Sequence, residues 1–155
     1  LIRLSDAIPE AAIVLIGNAD VPVDKLKKRP NIHMLGPRKF ADLPGYVAFF
    51  DVGIIPFIVT ELTRAVNPIK LREMLAAGCP VVSTDLPEVR AYASGPGGAV
   101  RVATSHDEFV EAVRQRVAKP ATQAERCAIS ESIRSETWEA KTREILGIID
   151  ARDEG

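Results

Sequence analysis

A chain of 155 residues that is 46% hydrophobic and 26% charged has the composition of one globular domain, and at this length folding buries about two thirds of the unfolded surface. Disorder, collagen and a cysteine-stapled scaffold are excluded. Twenty Lys and Arg against twenty-one Asp and Glu leave a formal charge of -1, so no global field steers the chain to nucleic acid or an anionic membrane, and only a local basic cluster remains open.

The chain starts at Leu1, without Met or leader, in the amphipathic run LIRLSDAI, which reads as a helix inside a longer protein. Short apolar runs then recur between Gly, Pro and Asp: 12–16 before Gly17, 32–35 before Gly36, 52–55 before Pro56, 81–83 after Pro80, and 99–102 after Gly97 and Gly98. Continuous apolar runs of this length are the signature of buried parallel strands. Between them the period changes. Leu43, Tyr46, Val47 and Phe50 predict a helix over 41–50, and Leu71, Met74 and Leu75 predict one over 68–77, with Pro68 at its first position and Gly78 just past its end. Ser105 answered by Glu108 fits a capping box, and Phe109, Val113 and Val117 continue one stripe. From about 121 a polar helical stretch follows, with Trp138, Ile145, Leu146, Ile148 and Ile149 as its apolar anchors, expected to pack partly on something else.

Five strands alternating with helices predict an α/β fold, a Rossmann-like doubly wound parallel sheet in three α/β/α layers with right-handed crossovers. Gly and Pro are not pooled into a linker and no repeat is present, so 1–155 reads as one domain. The longest apolar stretch, 52–59, is broken by Gly53 and Pro56 and falls far below the ~20 residues of a membrane helix. Cys79 and Cys127 are isolated, without a CxxC pair, and suit a reducing compartment. Both read as small packing residues in a cytoplasmic protein; peripheral contact with the inner membrane face is left open.

In open α/β sheets a ligand sits beyond the carboxyl ends of the strands. This rule ranks the loops 17–22, 36–39, 56–68, 84–89 and 94–98. The loop after Ile55 carries Thr60, Glu61, Thr63, Arg64 and Asn67 before Pro68 starts a helix. A helix N-terminus offers unpaired N–H groups and about half a positive charge, Lys70 adds a full one, and Glu73 lies one turn beyond. Such a set suits a diphosphate followed by a ribose; the same spacing equally suits an i,i+3 ion pair on a solvated face. His33 reads as a core or edge histidine and His106 as a surface residue within a cap. Arg38 and Lys39 are either a lid over a base or phosphate or a solvated turn. The Gly-rich run 94–98 precedes a strand instead of opening a helix, so it is no dinucleotide fingerprint. There is no GxxxxGK[ST], GxSxG, HExxH or Asp-x-Asp pair, which removes most hydrolase and P-loop readings.

The run 66–89, Val-Asn-Pro-Ile-Lys-Leu-Arg-Glu-Met-Leu-Ala-Ala-Gly-Cys-Pro-Val-Val-Ser-Thr-Asp-Leu-Pro-Glu-Val, resembles the donor-binding half of GT-B glycosyltransferases of the family 4, group 1 type. Asn-Ile-His-Met-Leu-Gly at 31–36, Leu-Pro-Gly-Tyr at 43–46, Asp-Val-Gly-Ile-Ile-Pro-Phe at 51–57, Asp-Glu-Phe at 107–109 and Thr-Trp-Glu at 137–139 are similar to the same family. The resemblance implies a Rossmann-like C-terminal domain that binds a nucleotide-diphosphate sugar, without a cofactor or obligatory metal, for transfer to a sugar, lipid or polysaccharide acceptor held by an N-terminal domain outside this chain. It implies that Glu73 binds the ribose hydroxyls and that Asn67, Pro68, Ile69 and Lys70 hold diphosphate and sugar. Lys70 would stabilise the departing group, with Arg64, Arg38 and Lys39 as further candidates. The family's frequent Glu-x7-Glu pattern has Ala65 at its first acidic position here, which leaves retention or inversion open. The family's domain also begins with a strand and Gly-containing loop, so this chain is expected to lack that strand and to be inactive alone. A nucleotide-sugar 2-epimerase, separable by product analysis without acceptor, and a non-catalytic sugar-nucleotide or partner-binding domain are the alternatives.

Overall fold

The computed structural model describes residues 1–95 and 98–153. In chain order it forms α1 (Ile2–Ala7), β1 (Ile13–Ile16), α2 (Asp24–Lys27), β2 (Ile32–Gly36), a 3-10 turn (Phe40–Asp42) running into α3 (Leu43–Val47), β3 (Gly53–Ile55) and α4 (Glu61–Arg64). Then come α5 (Ile69–Ala76), β4 (Val81–Thr84), α6 (Pro87–Arg90), β5 (Val100–Ala103), α7 (His106–Ala118), α8 (Gln123–Ser132), a second 3-10 turn (Arg134–Glu136) and α9 (Trp138–Asp153). Each of the five expected strands forms, shifted by at most a residue or so. Of the Gly-rich run 94–98, Pro96 and Gly97 lie outside the described residues.

All the strand pairs are parallel, and successive residues of β4 show how the layers form. Val81 packs on one side with Ile55, Leu71, Leu75, Val89, Ile129 and Ile133; Val82 packs on the other with Leu4, Ile8, Ile13, Phe109 and Val113. Side chains alternate across a strand, so each face of the sheet needs its own cover, here α5, α6 and α8 on one side and α1 and α7 on the other. This is a three-layer Rossmann-like α/β fold. The hydrogen-bonded ladder, however, is divided: β1 pairs with β2, and β3–β4–β5 form a second sheet. Between the two lies an apolar cleft of about 470 Å³, bordered by Ile13 and Val14 of β1 and Ile54 of β3, with Leu4, Ile8, Val113 and Val117 behind. The two sheets share one core through the helices beneath them instead of through backbone hydrogen bonds.

Several boundaries differ from the sequence expectation for local reasons. The helix expected over 41–50 is shorter: Pro44, in its first turn, has no N–H to bond back to Phe40, so the chain enters through the 3-10 turn and α3 runs from Leu43 to Val47. Pro68 is the extended N-cap of α5 and not its first residue. At α7 Ser105 accepts from the Glu108 N–H, but Glu108 Oε2 accepts in return from the N–H and hydroxyl of Thr104, one residue earlier than a capping box requires. The stretch after 121 is two helices, since Thr122 and Glu125 build a reciprocal capping box that starts α8. Its buried anchors are Ile129 and Ile133, whereas Trp138, Ile145, Leu146, Ile148 and Ile149 are all exposed. Cys79 is fully buried as expected, but Cys127 is exposed on α8, the face that turns away from Ile129. His33 is exposed on β2, an edge strand, and His106 is exposed at the start of α7.

Candidate functional site

The loops after the parallel strands gather at one end of the sheet, and α5 begins there. Hydroxyls shape its approach. Thr60 and Thr63 cap α4 reciprocally, and Thr63 Oγ1 also donates to the Ile58 carbonyl at 2.7 Å. These two residues therefore have a structural task. The other end of α5 is closed by a Schellman motif, with the Gly78 N–H on the Leu75 carbonyl (2.8 Å) and the Cys79 N–H on that of Met74 (2.9 Å). Gly78 stands at φ +71°, where an added Cβ would lie 2.7 Å from the Arg126 carbonyl oxygen.

The start of α5 is different from those of α4, α7 and α8. Thr60, Ser105 and Thr122 place a side-chain oxygen on an N–H of the first turn, but Pro68 has none to offer, and no side chain caps α5. Proline fixes the backbone at the entry, and the end that carries the positive pole of the helix stays open. Pro68 itself is buried, while Ile69 and Lys70 are exposed. Neither Lys70 nor Glu73 enters any ion pair among the described residues, so the i,i+3 pair that their spacing allowed does not form.

Asn67, Ile69 and Glu73 line one side of a cavity of about 840 Å³, whose other side comes from the end of α8, the second 3-10 turn and the start of α9, including Ile133, Glu136, Trp138 and Lys141. Lys70, Arg64, Arg38 and Lys39 are not on its walls. Arg38 is held along the β2–α3 connection, donating from Nε to the Tyr46 hydroxyl (3.1 Å) and from Nη1 to the Pro37 carbonyl (2.9 Å), and Lys39 is exposed at the head of the 3-10 turn. Arg64 ends α4 in solvent. Its charge adds to that of Arg90, whose two-pronged hydrogen bond is the main cause that holds the Asp85 carboxyl below the usual carboxylate range. Asp85 follows β4 at the same end of the sheet.

Sequence reasoning passed over Arg72. Its Nη1 donates to Asn67 Oδ1, its Nε lies 3.6 Å from Glu136 Oε2, and its guanidinium stacks 5.5 Å from the Tyr92 ring centre. Tyr92 donates its hydroxyl to the same Glu136 oxygen at 3.5 Å, and burial pushes its pKa up, keeping the phenol a donor. Lys141 Nζ sits 3.5 Å from the other Glu136 oxygen. Nothing in local spacing links residues so far apart in the chain.

The sequence model of the family described as "Glycosyl transferases group 1" matches residues 1–119. The chain belongs to the group 1 glycosyl transferases. Over 70 residues, 45% of its length, this group 1 chain is also 43% identical to a Bacillus subtilis (strain 168) protein named "Putative teichuronic acid biosynthesis glycosyltransferase TuaH". The match covers 18% of that relative's length. The family match takes in every loop at the carboxyl end of the strands and all of α5, so the resemblance carried by 66–89 and by the motifs at 31–36, 43–46, 51–57 and 107–109 is a family membership, while Thr-Trp-Glu at 137–139 lies beyond the match. Among the described residues of the group 1 chain no helix is long and apolar enough to cross a membrane.

Proposed function

We propose that this group 1 glycosyl transferase chain is the donor-binding domain of an enzyme that transfers a sugar from a nucleoside-diphosphate sugar. The observation that carries the proposal is the open start of α5, with no side-chain cap, Lys70 in its first turn and Glu73 one turn along, neither of them in an ion pair among the described residues. A diphosphate there meets backbone N–H groups, the positive end of a helix and a full cation. Glu73 accepts hydrogen bonds from the two ribose hydroxyls, and the loop through Asn67, Pro68 and Ile69 surrounds diphosphate and sugar. Lys70 is the catalytic residue: as the bond to the anomeric carbon breaks, negative charge grows on the departing diphosphate beside it, and a preorganised cation favours that state over the ground state. Arg64, Arg38 and Lys39 add positive charge around the same end of the sheet. No metal or cofactor is required.

The acceptor is a sugar, lipid or polysaccharide bound by a further domain, and the name of the relative, a teichuronic acid biosynthesis glycosyltransferase, supports a step of polysaccharide biosynthesis. The cleft between β1 and β3 is the place for one more parallel strand of the complete donor domain, since two strand edges border an apolar slot there. The chain alone does not turn over.

Titration of the chain with UDP, GDP and ADP, read by backbone amide shifts, tests the site. Perturbations concentrated on 67–73 by at least one of the three are expected. Absence of any such change at about millimolar nucleotide, a concentration that detects even Kd values worth only ~4 kcal/mol, overturns the assignment.

A further inference from the structure

We infer that Arg72 is a positioning residue of the donor site, setting which end of the Asn67 amide faces the diphosphate; the inference rests on the donor-site reading above. The Asn67 side chain has an acceptor oxygen and a donor nitrogen, and only the nitrogen is of use to an anion. Arg72 is a donor-only group, and its Nη1 takes the Asn67 oxygen, which fixes the amide with its NH2 turned away from Arg72. The arrangement holds because the guanidinium is itself fixed from two further directions. The Glu136 carboxylate lies 3.6 Å from Nε, and the Tyr92 ring is stacked 5.5 Å from its centre. Both Arg72 and Glu136 side chains are three-quarters buried, at 26% exposure, so the pair is shielded from competing water more than a surface pair is.

The three supports come from different parts of the chain. Asn67 sits before the proline that fixes the entry to α5, Tyr92 follows α6, and Glu136 lies in the 3-10 turn between α8 and α9. Arg72 thus ties the entry of α5 to the segment after α6 and to the 3-10 turn that faces Asn67 across the cavity. Arg72 is ion-paired with Glu136, a carboxylate it shares with Lys141, whereas Lys70 has no ion pair among the described residues: Arg72 orients the amide, and Lys70 supplies a cation.

The test is a double-mutant cycle on the chain, with affinity for whichever of UDP, GDP and ADP binds most tightly as the readout and thermal melting as a check on folding. Arg72→Gln is expected to weaken binding about five- to tenfold, the loss of one oriented hydrogen bond to a charged group. In an Asn67→Ala background the same substitution is expected to have no further effect, which a purely structural role for Arg72 does not predict. Equal losses in both backgrounds, or unchanged affinity in Arg72→Gln, overturn the inference while leaving the donor site standing. If Arg72→Gln does not fold, Arg72→Met, which keeps an apolar stem but has no donor, is put through the same cycle with the same criteria. A wild-type chain that binds none of the three nucleotides overturns both readings.

Discussion

Lys70 and Glu73 carry opposite charges one turn apart on α5, and among the described residues neither enters an ion pair. Replacing Lys70 by Ala is expected to weaken nucleoside-diphosphate binding about tenfold, roughly 1.4 kcal/mol, while nucleoside monophosphate loses less. Isothermal titration with the two ligands checks this. Glu73→Ala is expected to raise the donor KM of the complete enzyme; unchanged kinetics would remove the ribose role. The cysteines give an independent check on burial. Desolvation pushes the Cys79 thiol up to about 11, against an ordinary value of 9.0, with Arg126 offsetting part of it. The folded form holds that proton more tightly than the unfolded one, so this contribution to stability is full below pH 9 and is lost as pH rises from about 9 to about 11, by at most ~1.4 kcal/mol per pH unit. Urea midpoints across that range test the sign. At pH 8 a thiol reagent is expected to modify Cys127 quickly and Cys79 only on unfolding. Cys79 was readable from the sequence because Gly and Pro flank it at a strand mouth; Cys127 was not, because which side of α8 faces inward depends on where α8 docks.

Helix ends decide much of the local geometry. Gly78 closes α5 in a left-handed conformation against the Arg126 carbonyl, so Gly78→Ala incurs both backbone strain and a clash with main chain. A loss above about 2 kcal/mol is expected in chemical denaturation, larger than the ~1 kcal/mol for removing the α8 cap by Thr122→Ala. The Pro68 and Gly78 that bracket α5 are visible in the sequence, and so is the Ser105 cap, since capping is chemistry among residues three apart, whereas the Thr122 box is hidden in a polar stretch that reads as one helix. Pro44 in the first turn of α3 is visible too, and it fixes where that helix starts, whereas the apolar period alone extends to Phe50, beyond the end of α3 at Val47.

Across the molecule, the weight of the core lies under β4, between Leu75 and Val81 on one face and Val82 and Phe109 on the other. α9 carries none of it, because its apolar side chains Ile145, Leu146, Ile148 and Ile149 are half exposed or more. Amide hydrogen exchange is expected to be fastest in α9 and slowest in β4 and α5; comparable protection in α9 would show that its exposed face is covered in solution. The divided sheet belongs to this level as well, since a register between β1 and β3 is absent from any local pattern.

The sequence by itself determined the five parallel strands, the helices α3, α5 and α7, the Ser105 cap, and the proline-started helix that carries Lys70 and Glu73. All of these follow from chemistry within a few residues: apolar runs, the period of 3.6, and the presence or absence of a side-chain acceptor at a helix start. Only the tertiary structure decided that the strands form two ladders with a cleft between β1 and β3, that Ile129 and Ile133 anchor the C-terminal part while Trp138 stays in solvent, and that Asn67, Tyr92 and Glu136 converge on Arg72. Those outcomes depend on which faces meet after the chain has crossed from one side of the sheet to the other, and no spacing along the chain encodes that distance.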